Sequence, residues 1–101
     1  MHLTVLAVRD CPNVSVLEDR LAAVLAGRSG VTVSHEVISS ESDAARGGMH
    51  GSPTLLIDGV DPFAVPGQPP SMSCRLYRDV DGQASGAPSA GQLRQALERA
   101  L

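Results

Sequence analysis

Cys11 lies between an apolar run, Leu3-Thr4-Val5-Leu6-Ala7-Val8, and a stretch of helical periodicity, and Pro12 follows it directly. A thiol at a helix start meets unpaired backbone N–H groups and the positive end of the macrodipole, and both favour thiolate over thiol. Proline suits the first helical turn because it has no N–H to lose there. Cys11 is therefore the candidate nucleophile. The other cysteine, Cys74, stands beside Arg75 in a short strand-like run. It reads first as a structural thiol on an apolar face and second as a reactive partner. His50, a few residues ahead of Pro53 in His50-Gly51-Ser52-Pro53-Thr54, falls on the rim that would face Cys11. There it could share a proton with the thiol or join it as a soft ligand, although an exposed loop histidine is the plainer reading. Met49 and Met72 with Cys11, Cys74 and His50 would make a set suited to Cu(I) or Hg(II) only if they converged, and methionines more often fill cores. No metal ligand is assigned. His2 and His35 have no second ligand at a useful spacing, His35 reading as a half-buried strand residue, and no cofactor is expected. Gly47-Gly48 and Gly59 are too scattered to cradle a phosphate.

The elements that must position these residues follow from periodicity. Residues 3–8 form a continuous apolar run that predicts a buried strand. From Pro12 to Ala26 the apolar residues Val14, Leu17, Leu21, Val24 and Leu25 recur at three- and four-residue spacings, which predicts a helix with one face on a sheet and Gly27 closing it. Val31 to Ile38 alternates and is rich in β-branched residues, predicting a strand with one buried face. Ser40 with Asp43 resembles a helix start, and Glu41 to Arg46 makes a short helix ended by Gly47-Gly48. Thr54 to Asp58 is a third strand. Val60 to Ser73, with Pro62, Pro66, Pro69 and Pro70, is an ordered irregular loop, since proline is excluded from central strands and X–Pro steps disfavour helix. Cys74 to Arg78 reads as a fourth, edge-like strand, Asp81-Gly82 as a turn, and Ser89 with Gln92 as a capping box opening a final helix with Leu93, Ala96, Leu97 and Ala100 on its apolar face. The predicted order is β-α-β-α-β-β-α.

The chain has 101 residues, which sets one domain over 1–101 with one modest core. The apolar fraction is ordinary at 43%, but with one Tyr, one Phe and no Trp that core must be aliphatic. A formal charge of −3 leaves no broad electrostatic footprint for nucleic acid or an anionic membrane. No basic stretch or cleavage-site pattern precedes the first apolar run, and no segment approaches the length of a membrane span, so the expected location is the cytoplasm. Two cysteines in a reducing compartment point to catalytic, metal-binding or sensing roles before a structural disulfide.

The element order, a cysteine at the first strand-to-helix junction and a Gly51-Ser52-Pro53-Thr54 step entering the third strand together resemble the thioredoxin-like superfamily over nearly the whole chain. Residues 51–59, Gly-Ser-Pro-Thr-Leu-Leu-Ile-Asp-Gly, are especially similar to the corresponding approach in thioredoxins and periplasmic disulfide oxidoreductases. The resemblance implies a four-stranded mixed sheet flanked by helices, Cys11 as the attacking thiol, and a cis Pro53 facing it. Ser52, Pro53 and Thr54 would then dock an extended substrate chain through the outward backbone groups of Ser52.

One position departs from the family. Dithiol members carry a second cysteine three residues after the first, and Val14 stands there in Cys11-Pro12-Asn13-Val14. The usual dithiol cycle is excluded. What remains is monothiol exchange with a protein or a small thiol such as glutathione or mycothiol, or resolution by a distant cysteine, for which Cys74 is the one internal candidate. If Cys74 opens an antiparallel fourth strand it lies at the end of the sheet away from Cys11, and no disulfide joins them; the proline-rich loop could instead fold back over the active end. Ser73-Cys74-Arg75 with Gly86-Ala87-Pro88 is also faintly similar to the cysteine-bearing strand of alkylmercury lyases, though only Cys74 takes a place in that pattern. The leading expectation is a thiol-dependent redox protein. The alternatives are a soft-metal or organomercurial-binding protein using Cys11 and Cys74, and a redox-silent adaptor that keeps only the docking edge.

Overall fold

The computed structural model describes residues 1–100, and the chain is mixed α/β. In order the elements are β1 (His2–Ala7), α1 (Asn13–Leu25), β2 (Thr32–Val37), α2 (Glu41–Gly47), β3 (His50–Ser52), β4 (Thr54–Ile57), β5 (Ser71–Cys74), β6 (Tyr77–Arg78), β7 (Ala84–Ser85) and α3 (Ala90–Arg99). The main sheet has three strands in the order β2-β1-β4. β1 runs parallel to β2, from His2 opposite Thr32 to Ala7 opposite Val37, and antiparallel to β4, from Leu3 opposite Ile57 to Leu6 opposite Thr54.

Central position explains why β1 is a continuous apolar run. A strand buried on both faces needs apolar side chains at both alternating phases. Leu3 and Val5 enter one core cluster with Leu17, Leu21 and Val24 of α1, Leu55 and Ile57 of β4, and Leu93, Ala96 and Leu97 of α3. Leu6, on the other phase, enters a second cluster with Ile38, Ala44 and Met49, against which Val8, Leu56 and Met72 pack. Helices α1 and α3 thus cover one face of the sheet, and α2 with the β3–β5 ribbon covers the other.

The helix boundaries are set by local side-chain chemistry. Ser40 Oγ accepts the Asp43 amide at 3.1 Å to open α2, and Gly48 at φ +76° closes it. At the start of α3, Ser89 Oγ accepts the Gln92 amide at 3.1 Å while Gln92 Oε1 accepts the Ser89 amide at 2.9 Å, so two otherwise unpaired donors are satisfied reciprocally. No helix among the described residues is long and apolar enough to cross a membrane.

Two expectations are corrected. β2 does not have a buried face: it is an edge strand, only Ser34 among its residues is even half-buried, and Val37 is 58% exposed. The buried stripe of α1 packs over β1 and β4, so β2 alternates in sequence without being covered. Nor is there a four-stranded sheet containing residues 74–78. Cys74 ends β5, which pairs with β3 in parallel, whereas Tyr77–Arg78 pairs with Ala84–Ser85 as an antiparallel hairpin. The alternation in this run is real but inverted, because Arg75 and Tyr77 point inward and Leu76 is 68% exposed. The proline-rich segment is irregular as expected until Ser71, where it returns as β5.

Candidate functional site

Cys11 is placed by the turn through which β1 hands over to α1. Asp10 takes a left-handed conformation at φ +60°, the Cys11 amide donates to the Val8 carbonyl at 3.3 Å, and the Cys11 carbonyl accepts the Val14 amide at 3.3 Å. Pro12 is the N-cap residue of α1 and offers no side-chain hydrogen bond, and no acidic side chain lies in the first turn. Apart from the Val14 amide, which the Cys11 carbonyl accepts, no side chain caps the leading amides of α1, and they lie beside a half-buried residue with a free thiol. Cys11 opens onto a groove of about 320 Å³ that is apolar over most of its surface, formed by Val5, Ala7, Val8 and Val14 with His35 and Val37 across on β2, and also lined by Arg9, Asp10 and Glu36. At its rim His35 Nε2 lies 3.5 Å from the Glu18 carboxylate.

The start of α1 is clamped from the far end of the chain. Gly86 packs against Asn13 so closely that a Cβ there would sit 2.3 Å from the asparagine side chain. Arg20 Nη1 donates to the carbonyls of Ala87 at 2.9 Å and Pro88 at 3.1 Å. The Gly86-Ala87-Pro88 segment thereby fixes the helix that carries Cys11.

Opposite this turn lies the Ser52–Pro53 step, whose peptide bond is cis, as the resemblance implies. Ser52, Pro53 and Thr54 are all fully buried. Ser52 Oγ accepts the Val8 amide at 3.1 Å, and the Ser52 carbonyl accepts the Arg75 amide at 3.1 Å. The docking edge assigned to Ser52 is thus already filled by the chain's own β5, which corrects the expectation of an open edge. Thr54 is equally committed: its hydroxyl donates to the Gly51 carbonyl at 2.7 Å and accepts from the His50 amide and from Arg75 Nη1, each at 3.2 Å. One donor and two acceptor positions are the full capacity of a hydroxyl.

Behind this step is a buried polar network that the sequence did not reveal. Arg75 Nη1 lies 2.7 Å from Asp61 Oδ2, both side chains only 5% exposed. Arg75 Nη2 donates to the Phe63 carbonyl at 2.8 Å, and the guanidinium stacks 4.6 Å from the centre of the Tyr77 ring. Phe63 meets the same ring edge-on at 5.6 Å, and the Tyr77 hydroxyl donates to the Pro53 carbonyl at 2.5 Å. Burial pushes the Tyr77 phenol far above its ordinary range, with Arg75 opposing and Asp61 and Cys11 adding to the rise. The chain's one Tyr and one Phe, both in this network, were the available signal. A second signal was Asp61-Pro62-Phe63, where Asp61 Oδ1 accepts the Phe63 amide at 2.9 Å in a short Asx turn.

The remaining predicted residues fall as follows. His50 lies on β3, half-buried, with Nδ1 3.4 Å from the Pro69 carbonyl, and does not line the Cys11 groove; the imidazole at that groove is His35, which is exposed and not half-buried. Met49 is fully buried in the second core cluster with Met72 packed beside it. No group of three His, Cys, Asp or Glu side chains converges among the described residues. Cys74 is exposed and free, not a structural thiol on an apolar face. It is also not at the far end of the sheet, because β5 pairs in parallel with β3 and sets Cys74 opposite Ser52, whose hydroxyl is bonded to the residue that ends the first apolar run. Comparison with family models, curated proteins and solved structures finds no match to this chain.

Proposed function

We propose that the chain is a thioredoxin-like protein of thiol–disulfide exchange, acting in a reducing compartment such as the cytoplasm, with Cys11 as its attacking thiol. The observation that carries the reading is the half-exposed Cys11 at the uncapped start of α1, opening onto an apolar groove. In the reaction the Cys11 thiolate attacks one sulfur of a disulfide, a mixed disulfide forms, and the other sulfur departs as thiolate. The order β2-β1-β4 and the handover from β1 to α1 support the family reading. Because β5 already pairs with Ser52, the substrate favoured is a low-molecular-weight disulfide that reaches Cys11 through the groove, ahead of an extended protein strand. The adaptor alternative needs that same edge free, whereas the Ser52 carbonyl already accepts the Arg75 amide.

Alkylation with iodoacetamide across pH 5–9 tests the reading. The wild type is expected to react faster than free cysteine below about pH 8 and to be labelled first at Cys11, with Cys11→Ser losing the fast phase. Equal rates in the two proteins would assign the reactivity to Cys74 and refute it. The second reading, a soft-metal or organomercurial site held by Cys11 and Cys74, draws support from the placement of both cysteines at one end of β1. It requires Hg(II) to bind one per chain with an affinity lost on replacing either cysteine.

A further inference from the structure

Cys11 and Cys74 are the only two cysteines, and both lie on segments anchored to Ser52. On one side the Val8 amide donates to Ser52 Oγ at 3.1 Å and the Val8 carbonyl accepts the Cys11 amide at 3.3 Å. On the other, Cys74 is the register partner of Ser52 in the parallel β3–β5 pair, and the next amide, of Arg75, donates to the Ser52 carbonyl at 3.1 Å. β5 therefore lies where a docked substrate strand would lie, and it presents a cysteine at the residue opposite Ser52. That cysteine is held in place from its C-terminal side. Arg75 is fixed by the buried Asp61 carboxylate, and Tyr77 is fixed to the Pro53 carbonyl. Neither cysteine is fully buried, Cys74 being exposed and Cys11 half-buried, and neither forms a disulfide.

We infer that Cys74 is the resolving thiol for Cys11, delivered by β5 in place of the second cysteine that Val14 replaces at the helix start. The inference rests on the exchange reading of Cys11. Starting from the reduced chain and a low-molecular-weight disulfide RS–SR, the Cys11 thiolate attacks one sulfur, forming Cys11–S–SR and releasing RS⁻. The Cys74 thiolate then attacks the Cys11 sulfur, the Cys11–S–SR bond breaks, and a second RS⁻ leaves. The chain is oxidised by two electrons, the disulfide is reduced to two thiols, and the two protein thiol protons pass to the departing thiolates through solvent.

The test uses the full chain with glutathione disulfide as the probe, acid-quenched over time and read by intact mass and by non-reduced tryptic mapping. The wild-type monomer is expected to lose two hydrogens with only transient glutathione addition, and to yield a cross-linked pair of fragments, Asp10–Arg20 with Gly47–Arg75. Cys74→Ser is expected to stop at one stable glutathione on Cys11, its adduct outliving the wild-type adduct by at least tenfold. Equal adduct lifetimes in the two proteins, or a cross-link found only in dimers, would overturn the resolving role and leave Cys11 exchange standing. Absence of any adduct at Cys11 in the Cys74→Ser chain would overturn both.

Discussion

Asp61→Ala removes the counter-charge from a guanidinium that is only 5% exposed. Three other contacts of Arg75 survive the change: the Phe63 carbonyl at 2.8 Å, Thr54 Oγ1 at 3.2 Å and the Tyr77 ring at 4.6 Å. These neutral partners satisfy N–H groups and offer some cation–π attraction, but they do not replace a carboxylate. Breaking one side of a buried pair costs about 3–5 kcal/mol, and with those contacts retained the lower end, about 3 kcal/mol, is expected. For a domain of this size each kcal/mol moves Tm by about 4–8 °C, so the melting midpoint should fall by about 12 °C or more. Urea unfolding followed by far-UV circular dichroism gives the loss as a shift in midpoint at constant slope. The double variant Asp61→Leu/Arg75→Met removes both charges and fills the space, and it should recover at least half of the loss. A loss below about 1 kcal/mol in Asp61→Ala, or a double variant no more stable than the single one, would show that the pair is not a desolvated ion pair.

Burial holds the Tyr77 phenol above its ordinary value, with Arg75 opposing and Asp61 and Cys11 adding, so the folded chain keeps a proton that the unfolded chain releases near pH 10. Stability from this group is complete below about pH 10 and falls by about 1.4 kcal/mol per pH unit above it; Tyr77→Phe should lose that slope in urea titrations between pH 10 and 11.5, and an unaltered slope would contradict the burial. Gly51 sits at φ +117° with a Cβ position 2.7 Å from Arg75 Cβ, whereas Gly67 sits at φ +80° in open space. Gly51→Ala is expected to cost at least about 2 kcal/mol and Gly67→Ala about 1 kcal/mol, and equal midpoint shifts would deny the close approach of β3 to Arg75.

What the sequence disclosed depended on whether the cause was local. Ser40, Ser89 and Gln92 could be read as caps because each acts on an amide three positions away, and β1 could be read as a buried strand because its run is continuous and apolar. Cys11 was legible for the same reason, standing at a boundary marked by the end of one period and the start of another. Ser52, Pro53 and Thr54 came from the family resemblance, which foresaw the cis bond but not the partner across it. That partner depends on where an irregular segment of four prolines returns, and an aperiodic loop carries no pattern that specifies its path. Asp61 and Arg75 were missed because charged residues are seldom fully buried, so each read alone belongs on the surface. Their burial is a property of the pair. His35 was placed on its strand correctly, but its nearness to Cys11 follows from the register of β2 on β1, which sets it opposite Val5.

Ser52 is where these long-range features meet. Its hydroxyl ties down the last residue of the apolar run that leads to Cys11, and its carbonyl ties down the strand that ends at Cys74. A polar residue that is 1% exposed needs such partners, since a buried hydroxyl or carbonyl without one costs about 1–3 kcal/mol. The same requirement keeps β5 in place: withdrawing it to admit a protein strand would strip the Ser52 carbonyl of its donor until the newcomer supplied another. A small disulfide would make no such demand, because in the proposed exchange it would approach through the groove bounded by Val14, His35 and Val37 and leave the β3–β5 pair intact. Val14 then has a definite place in the proposed cycle. Where a dithiol protein would carry its second sulfur, an apolar side chain completes the wall of the groove, and the task of resolving the mixed disulfide passes to the strand on the other side of Ser52.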